Sequence, residues 1–421
     1  MPQHSSLSRK SFYPWLVWFS VSLFFFYKYL LQFSPSVMTS ELMAAFAVSG
    51  AGLGNMAACY YYPYLLMQFP VGILLDKFSP QKITAAAVFL CALGAYLFSH
   101  ATSLTVACLS RGLIGLGAAF APVACLKMAT VWFPARRFAL IAGLTMTIAL
   151  TGAVNSGYPL SLLVGTFGWR DALTYLAIPG VVLALVYLLV IRPKPVTQTH
   201  TSHPAILHSL KEVLMDKQTW LLSLYSGFAY APFSVMAGLW GVPFIQAAYH
   251  LPRDIAAGKL SFMFLGFALG SPILGWFSDH VGKRKVVVYI GTLLTLFSIT
   301  AIIYLPNALS PFFLGFLMLI FGIGMGGFLI CFSMVREVNK LILAGSAIGF
   351  MNMFDSLWEA VSEPFIGKLL DLGWAGEVAE NGSRLFSVHS YHIALSILPA
   401  YFILSLICLY FVRETHGEQR L

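Results

Sequence analysis

The chain has 421 residues, of which 59% are hydrophobic and 10% are charged, and its mean hydropathy is +0.81. This composition excludes a water-soluble protein, because too few polar residues remain to cover the surface of a chain of this length, and it indicates a protein embedded in lipid. The net charge of +9 is interpreted as a basic face against acidic lipid headgroups, and no nucleic-acid partner is expected.

Apolar runs of roughly 20 residues, rather than alternating strands of about 10, predict an all-α membrane protein. Twelve transmembrane helices are expected, at 14–37, 50–75, 83–101, 104–130, 138–165, 171–191, 218–247, 258–279, 284–305, 310–334, 342–369 and 388–412. The predicted organisation is a cytoplasmic tail (1–13), an N-terminal six-helix bundle (14–191), a cytoplasmic linker (192–217), a C-terminal six-helix bundle (218–412) and a second cytoplasmic tail (413–421).

Most of the 25 Lys and Arg residues lie in the loops on the same side of the predicted helices as the two termini. Short loops rich in Lys and Arg stay in the cytoplasm during membrane insertion. The sequence therefore predicts a multi-pass integral membrane protein with both termini in the cytoplasm, in a bacterial inner membrane.

One loop motif occurs twice, after the second helix of each predicted bundle. Gly72, Asp76 and Lys82 in the first copy recur 203 positions later as Gly275, Asp279 and Lys285, and Arg284 lies beside the last of these in the second copy. Glycine lets two helices approach closely, and an Asp at a helix end can accept hydrogen bonds from the N-terminus of a neighbouring helix. The repeat predicts a duplicated six-helix unit, and its residues are candidates for a gate that closes the cytoplasmic side.

This paired loop is similar to the one that identifies the major facilitator superfamily, and the resemblance covers essentially the whole chain. It implies two pseudo-symmetric six-helix bundles, transport of a small molecule by alternating access, no cofactor, and a chain that functions as a monomer. The stretches 34–38 and 60–68 more weakly resemble bacterial importers of amino acids or nucleosides and lysosomal dipeptide carriers.

The fourth helix contains Arg111 followed by Gly115 and Gly117, which resembles a family motif that implies a role in proton handling. The alternative is that the Arg111 side chain extends to the outer surface of the membrane. The drug-antiporter signature of the fifth helix is not matched, since this chain has Gly152-Ala-Val-Asn155 there. That difference disfavours multidrug export.

Three carboxylates lie in the eleventh helix at i, i+4 and i+8: Asp355, Glu359 and Glu363. This spacing places them on one helical face. Each ionised carboxylate at the bilayer centre costs at least about 2.5 kcal/mol, so the face must meet water, a cation or a proton. We expect Glu363, which precedes Pro364, to lie near the outer surface and to be solvated.

Lys28 in the first helix is the matching cation. Its depth agrees with that of Asp355 to within one helical turn, roughly 5 Å. We therefore predict an ion pair between Lys28 and Asp355 across a central cavity. A substrate anion that competes for Lys28 would free Asp355 to take up a proton, and Glu359, exchanging with Arg111, is the alternative proton carrier.

Aromatic and amide side chains in three helices are predicted to bind the substrate, because tyrosine hydroxyls and amides can orient a polar ligand while rings cover its apolar part. These candidates are Tyr60, Tyr64, Gln68, Asn155, Tyr230 and Trp240. The alternative is ordinary packing or an aromatic belt at the membrane interface.

The predicted function is proton-coupled symport of a small polar organic solute, of the amino-acid, dipeptide, nucleoside or carboxylate class. Three alternatives remain: a proton-antiport exporter of a metabolite, siderophore or drug; an uncoupled facilitator; and a membrane sensor with a transport fold. No nucleophile motif or metal-ligand spacing occurs in the sequence, so neither an enzyme nor a metal site is expected. An ATP-binding loop is also missing, which leaves an ion gradient or downhill diffusion as the driving force.

Overall fold

The structure is a computed structural model that describes residues 12–68, 70–134, 137–189, 191, 212–340 and 343–418. Most of the predicted N-terminal tail (1–11) and of the predicted linker (192–211) lies outside the described residues. The proposed boundaries at these segments stay predictions.

The described residues of the first half contain eleven α-helices. They are α1 (Tyr13–Phe33), α2 (Thr39–Phe46), α3 (Gly50–Ala58), α4 (Tyr61–Met67), α5 (Pro70–Lys77), α6 (Pro80–Ser99), α7 (Leu104–Ala118), α8 (Phe120–Trp132), α9 (Phe138–Asn155), α10 (Tyr158–Phe167) and α11 (Trp169–Leu189). A 3₁₀ turn, Ser34–Val37, continues α1. Several starts follow from local sequence, for example the hydroxyl of Ser103, which caps α7.

From Lys217 onward, the described part of the second half contains nine α-helices. They are α12 (Lys217–Val235), α13 (Gly241–Tyr249), α14 (Arg253–Val281), α15 (Arg284–Tyr304), α16 (Pro311–Met325), α17 (Ile330–Val338), α18 (Ala344–Leu372), α19 (Val388–Leu395) and α20 (Ile397–Phe411). A π-helical turn, Met236–Trp240, joins α12 to α13. The side chain of Asp216 caps α12.

The predicted all-α membrane fold is confirmed, and the helices agree with the twelve predicted spans to within a few residues. Within the described residues, ten helical segments are long and apolar enough to cross a membrane. The other two predicted spans correspond to α18, which carries several acidic residues, and to α3–α5, which the undescribed residue 69 interrupts.

One helix was not predicted. The segment assigned to the loop after the first span contains α2, whose axis is bent by 104° from that of the following helix. The bend occurs after Ala47, which has a left-handed φ of 49° and ends α2. Because α2 is short and lies across the end of the bundle, its pattern does not resemble that of a span.

The helical spans bring both chain termini to one end of the bundle, which we call the terminal end; the other is the distal end. Extensive contacts join the two halves. They connect α3 and α4 with α18, α9 and α10 with α14, and the 3₁₀ turn with the π-helical turn. Because α3 begins at the distal end and α18 finishes there, the halves are held together on that side.

Candidate functional site

A cavity of about 770 Å³ lies between the two halves. Residues from α1, α4, α8 and α9 line it on one side, and residues from α12, α14, α17 and α18 line it on the other. Most of the lining is apolar or aromatic. The charged groups in the lining are Lys28 from the first half and Asp355 and Glu359 from the second, so the opposite charges are divided between the halves.

Lys28 is buried in a cage of aromatic rings. Its Nζ lies 3.9 Å from the ring centroid of Tyr29, 5.3 Å from that of Tyr64 and 6.0 Å from that of Phe25. Ring faces attract a cation and give it partial compensation for its lost hydration. Among the described residues no carboxylate forms a salt bridge with Lys28, so its charge faces the cavity.

The two cavity carboxylates have different environments. Asp355 accepts a hydrogen bond of 2.5 Å from the hydroxyl of Ser226 in α12. Glu359, one turn further along α18, is the carboxylate that acts electrostatically on Lys28, and its Oε1 has no hydrogen-bond partner in the described part of the chain. The predicted ion pair between Lys28 and Asp355 is therefore wrong in this structure, because Ser226 holds Asp355 on its own half.

Three of the predicted substrate-binding residues line the cavity, namely Tyr60, Tyr64 and Tyr230. Gln68, Asn155 and Trp240 are not in its lining, so a role for them in substrate binding stays a prediction. Asn155 donates to the carbonyl of Thr151 on its own helix. Trp240 is buried between the halves and donates to the backbone carbonyl of Glu363.

Two amide residues of the cavity were missed by sequence reasoning. Gln32 lies one turn after Lys28 in α1, and its Oε1 accepts a hydrogen bond of 3.5 Å from the hydroxyl of Tyr60. Asn352 lies one turn before Asp355 in α18. Each lies one helical turn from a charged candidate and therefore on the same face of its helix, and this spacing could have identified it from the sequence.

Arg111 does not reach the membrane surface. Its side chain is only 1% exposed, and it donates to the backbone carbonyls of Leu31 at 2.9 Å and Gln32 at 3.3 Å. Its guanidinium carbon lies 5.1 Å from the ring centroid of Tyr60. The predicted exchange partner was Glu359, but the carboxylate that acts electrostatically on Arg111 is Glu363.

Glu363 corrects a second expectation. It was predicted to be solvated near the outer surface, yet it is only 1% exposed. The reason is tertiary: a Cβ placed on Gly54 of α3 would lie 2.4 Å from the carbonyl oxygen of Glu363, so the two helices touch at this residue. The depth calculated from the rise per residue places Glu363 near water. The crossing of α3 covers this part of α18 and excludes the water.

The closest contact between the halves lies at the distal end. A Cβ on Gly367 would come within 2.1 Å of the carbonyl oxygen of Gly50. The carboxylate of Asp371 accepts hydrogen bonds of 2.8 Å from the backbone N–H groups of both Gly50 and Ala51, at the start of α3. We call the contact formed by Gly50, Gly54, Gly367 and Asp371 the distal seam.

Further polar contacts surround the distal seam. Arg384 donates to Asp371 at 2.9 Å and so neutralises the carboxylate that caps α3. Arg253 of α14 forms a salt bridge with Glu41 of α2, which belongs to the other half. The distal end is thus closed by both packing and charge.

The predicted gate residues lie at the terminal end. In the second copy of the motif, Arg284 pairs with Asp279 and, at 3.2 Å, with Glu337, all within the second half. Within the described residues, a Cβ on Gly72 or Gly275 would meet no atom within 4 Å.

The remaining gate residues are Lys82 and Asp76 of the first copy. Lys82 is exposed, and the side chain of Asp76 lies outside what the structure describes. The close approach expected at these glycines is absent from this conformation, so the role of the paired loops as a gate stays a prediction.

Comparison with known proteins gives three findings. A family model described as Major Facilitator Superfamily matches residues 15–363. The membrane sensor protein UhpC of Salmonella typhimurium is 23% identical over 396 residues, which cover 86% of this chain and 85% of that protein. The probable sulfoacetate transporter SauU of Cupriavidus necator is 24% identical over 173 residues, and the alignment covers 41% of this chain and only 40% of that protein.

Among solved structures, a bacterial homolog of the human lysosomal transporter Spinster, in an inward-facing and unoccupied conformation, has the same fold. Its TM-score is 0.78 at 16% identity, over 96% of this chain and 97% of that chain. The family model, the helical architecture and this fold agree. The chain belongs to the major facilitator superfamily, a family of membrane transporters and not of enzymes.

Proposed function

We propose that the protein takes up a small zwitterionic or anionic organic solute by alternating access, coupled to protons moving in the same direction. The observation that carries this proposal is the division of buried charge in one cavity: Lys28 on the first half, and Asp355 and Glu359 on the second, with no salt bridge between them among the described residues. A ligand with both charges would connect the halves.

Each charged group has a distinct role in the proposal. Lys28 binds the carboxylate or sulfonate of the solute, and its aromatic cage covers the apolar part. Engagement of Lys28 by the solute removes the cation that acts on Glu359, and an isolated carboxylate in this setting favours the protonated form. Solute and proton then enter together. With the charges of the cavity neutralised, the protein can pass through the conformation in which both ends are closed.

Alternating access follows from the asymmetry of the two ends. In the conformation described here the distal seam is closed, and the cavity lining extends toward the terminal end, to Ala142 near the start of α9 and Ile348 near the start of α18. The distribution of Lys and Arg places the terminal end in the cytoplasm. In the opposite conformation the distal seam opens, and the paired loops around Asp76 and Asp279 close the terminal end.

The relatives support the substrate class only in outline. SauU is named a probable sulfoacetate transporter, and sulfoacetate is a small dianion that the charge of Lys28, which lines the cavity, would attract. The direction of transport is open to one alternative, proton antiport, which would use the same carboxylates.

The test is solute-triggered proton movement in liposomes that contain the purified protein, with an acidic exterior and a trapped pH dye. Pools of amino acids, dipeptides, nucleosides, carboxylates and sulfonates are added in turn. We expect one pool to acidify the lumen, and Lys28→Ala and Glu359→Gln to abolish the signal. Glu380→Gln, a change at an exposed acid outside the cavity, is the matched control. Solute entry without proton movement would contradict the coupling.

A second candidate function is sensing, because UhpC, whose similarity extends over 86% of this chain, is named a membrane sensor protein. A sensor would bind the solute in the same cavity without moving it. Binding of a radiolabelled solute to purified protein, together with no uptake into the liposomes, would favour this alternative.

A further inference from the structure

We propose that Glu363 is a proton-binding site at the distal seam, and that the seam closes only when this carboxyl group carries a proton. This inference rests on the proposed proton coupling but concerns a group outside the cavity. It assigns the distal entry of the proton to Glu363 and leaves Glu359 as the proton site of the cavity.

The first support is the isolation of the Glu363 carboxylate. The side chain is 1% exposed, it does not line the cavity, and its Oε2 has no hydrogen-bond partner among the described residues. Burial of an ionised carboxylate without a partner costs several kcal/mol, whereas the protonated group costs far less. The closed seam therefore selects the protonated form.

The second support is that no cation forms a salt bridge with Glu363 among the described residues. The charged and titratable groups that act on Glu363 are Arg111 of α7, Glu359 of its own helix and Tyr61 at the start of α4. Arg111 does not form a salt bridge with Glu363 in the described part of the chain, since it donates to the carbonyls of Leu31 and Gln32. Glu359 adds like charge, which further disfavours ionisation.

The third support is the position of Glu363 at the contact that must break. Its backbone carbonyl lies against Gly54 and accepts a hydrogen bond of 3.1 Å from the indole of Trp240. Its Oε1 would lie 3.0 Å from a Cβ on Gly238 in the π-helical turn. Separation of α3 from α18 would therefore expose the carboxylate to water from the distal side.

A polar connection leads from Glu363 toward the cavity. The hydroxyl of Tyr61 forms a hydrogen bond of 3.1 Å with Ser234, and both Glu359 and Glu363 act electrostatically on Tyr61. Ser234 is in turn a hydrogen-bonding neighbour of Glu359. A proton taken up at the seam can pass along these hydroxyl groups, each accepting one proton and releasing another. The ionised Glu363 that remains then favours reopening of the seam.

The test is hydrogen–deuterium exchange of the α3 segment in lipid nanodiscs at about pH 5.5 and about pH 8, with variants compared at the same pH so that intrinsic exchange rates cancel. We expect wild-type α3 to exchange faster at high pH, as loss of the proton opens the seam. Glu363→Gln mimics the protonated group, so it should exchange at least about fivefold more slowly than wild type at high pH, equivalent to roughly 1 kcal/mol. Glu363→Asp, which keeps an acid, should retain the pH response and shows that a changed side chain is tolerated.

Two results would overturn the inference: Glu363→Gln exchanging as wild type does at high pH, or Asp355→Asn removing the pH response while Glu363→Gln keeps it. The first would mean that Glu363 is ionised and neutralised by Arg111. In liposomes, Glu363→Gln should retain solute exchange and lose accumulation driven by a proton gradient. If wild-type protein moves no protons at all, the proposed coupling fails, and the exchange measurement still decides whether Glu363 controls the seam.

Discussion

At the distal end the two halves touch through backbone atoms and a shared carboxylate, whereas at the terminal end the salt bridges described for the second copy of the repeated loop stay within one half. Asp371 of the second half caps the first helix of the distal seam. Arg284 at the terminal end pairs with Asp279 and Glu337 of its own half. The same duplicated unit thus provides one end where described bonds join the halves and one end where the described bonds of Arg284 do not, and alternating access requires these two arrangements to exchange.

Labelling of a buried residue behind the distal seam measures this difference. Ala57 lies one turn after Gly54 in α3 and is buried. The variant Ala57→Cys can be treated with a membrane-impermeant maleimide. Labelling of the parent chain, which has six native cysteines, gives the background to be subtracted. The predictions below state how each change alters this labelling rate.

The largest effect is expected for Gly54→Ala. Its added Cβ would lie 2.4 Å from the backbone oxygen of Glu363, and a backbone atom cannot move aside without separating the helices. Labelling should rise more than about tenfold, which corresponds to at least roughly 1.4 kcal/mol. Gly72→Ala is the matched control, since its Cβ meets no atom within 4 Å of the described chain. Equal labelling of the two variants would show that close packing does not hold the seam.

Asp371→Asn should have the next largest effect. The change removes the charge from two hydrogen bonds to backbone N–H groups and from the pair with Arg384. Charge-assisted hydrogen bonds are worth about 1.5–3 kcal/mol, part of which water restores, so we expect labelling to rise about fivefold. Arg384→Gln should act more weakly, because Asp371 keeps its bonds to Gly50 and Ala51. A stronger effect of Arg384→Gln would contradict the capping role.

Glu41→Gln should have a small effect. The salt bridge between Glu41 and Arg253 joins the halves, but the two side chains remain 30% and 25% exposed. Such pairs contribute about 0–1 kcal/mol and weaken with salt. Labelling should rise less than about fivefold, and high salt should remove the difference from the parent. A difference that persists in high salt would indicate a packing role for Glu41.

Arg284→Gln should leave the labelling at the distal end unchanged. Its bonds to Asp279 and Glu337 lie at the opposite end and within one half. We expect a lower melting temperature instead, measured for the same purified protein. Faster distal labelling in this variant would show that the second half transmits a change from one end to the other.

Much of the architecture could be predicted because lipid leaves few choices. Long apolar runs must become helices, so the predicted spans match helices such as α6 and α14 to within a few residues. The short helix α2 was missed because it crosses the end of the bundle and not the membrane. Helical spacing also identified the acidic face of α18 and its cavity residues Asp355 and Glu359.

The partners of these residues could not be predicted in the same way. The rise per residue gives the depth of a side chain in the membrane but not its lateral position. Depth alone therefore predicted a pair between Asp355 and Lys28. In the structure Asp355 accepts a hydrogen bond from Ser226, and Glu359 is the acid that acts on Lys28. Trp240 was assigned to the cavity by residue type alone. It lies instead in the contact between halves, where its indole donates to Glu363.

The amino-acid sequence by itself determined that this chain is a duplicated bundle of membrane helices with a few costly charges inside, because apolar length and helical period are local properties. The tertiary structure alone decided which of three equally spaced acids faces the cavity and which is sealed. Asp355 and Glu359 face the cavity, whereas Glu363 is buried where α3 crosses α18 at Gly54. The helical period determines which side chains share one face of a helix. The position at which another helix crosses that face determines which of these side chains are accessible to water.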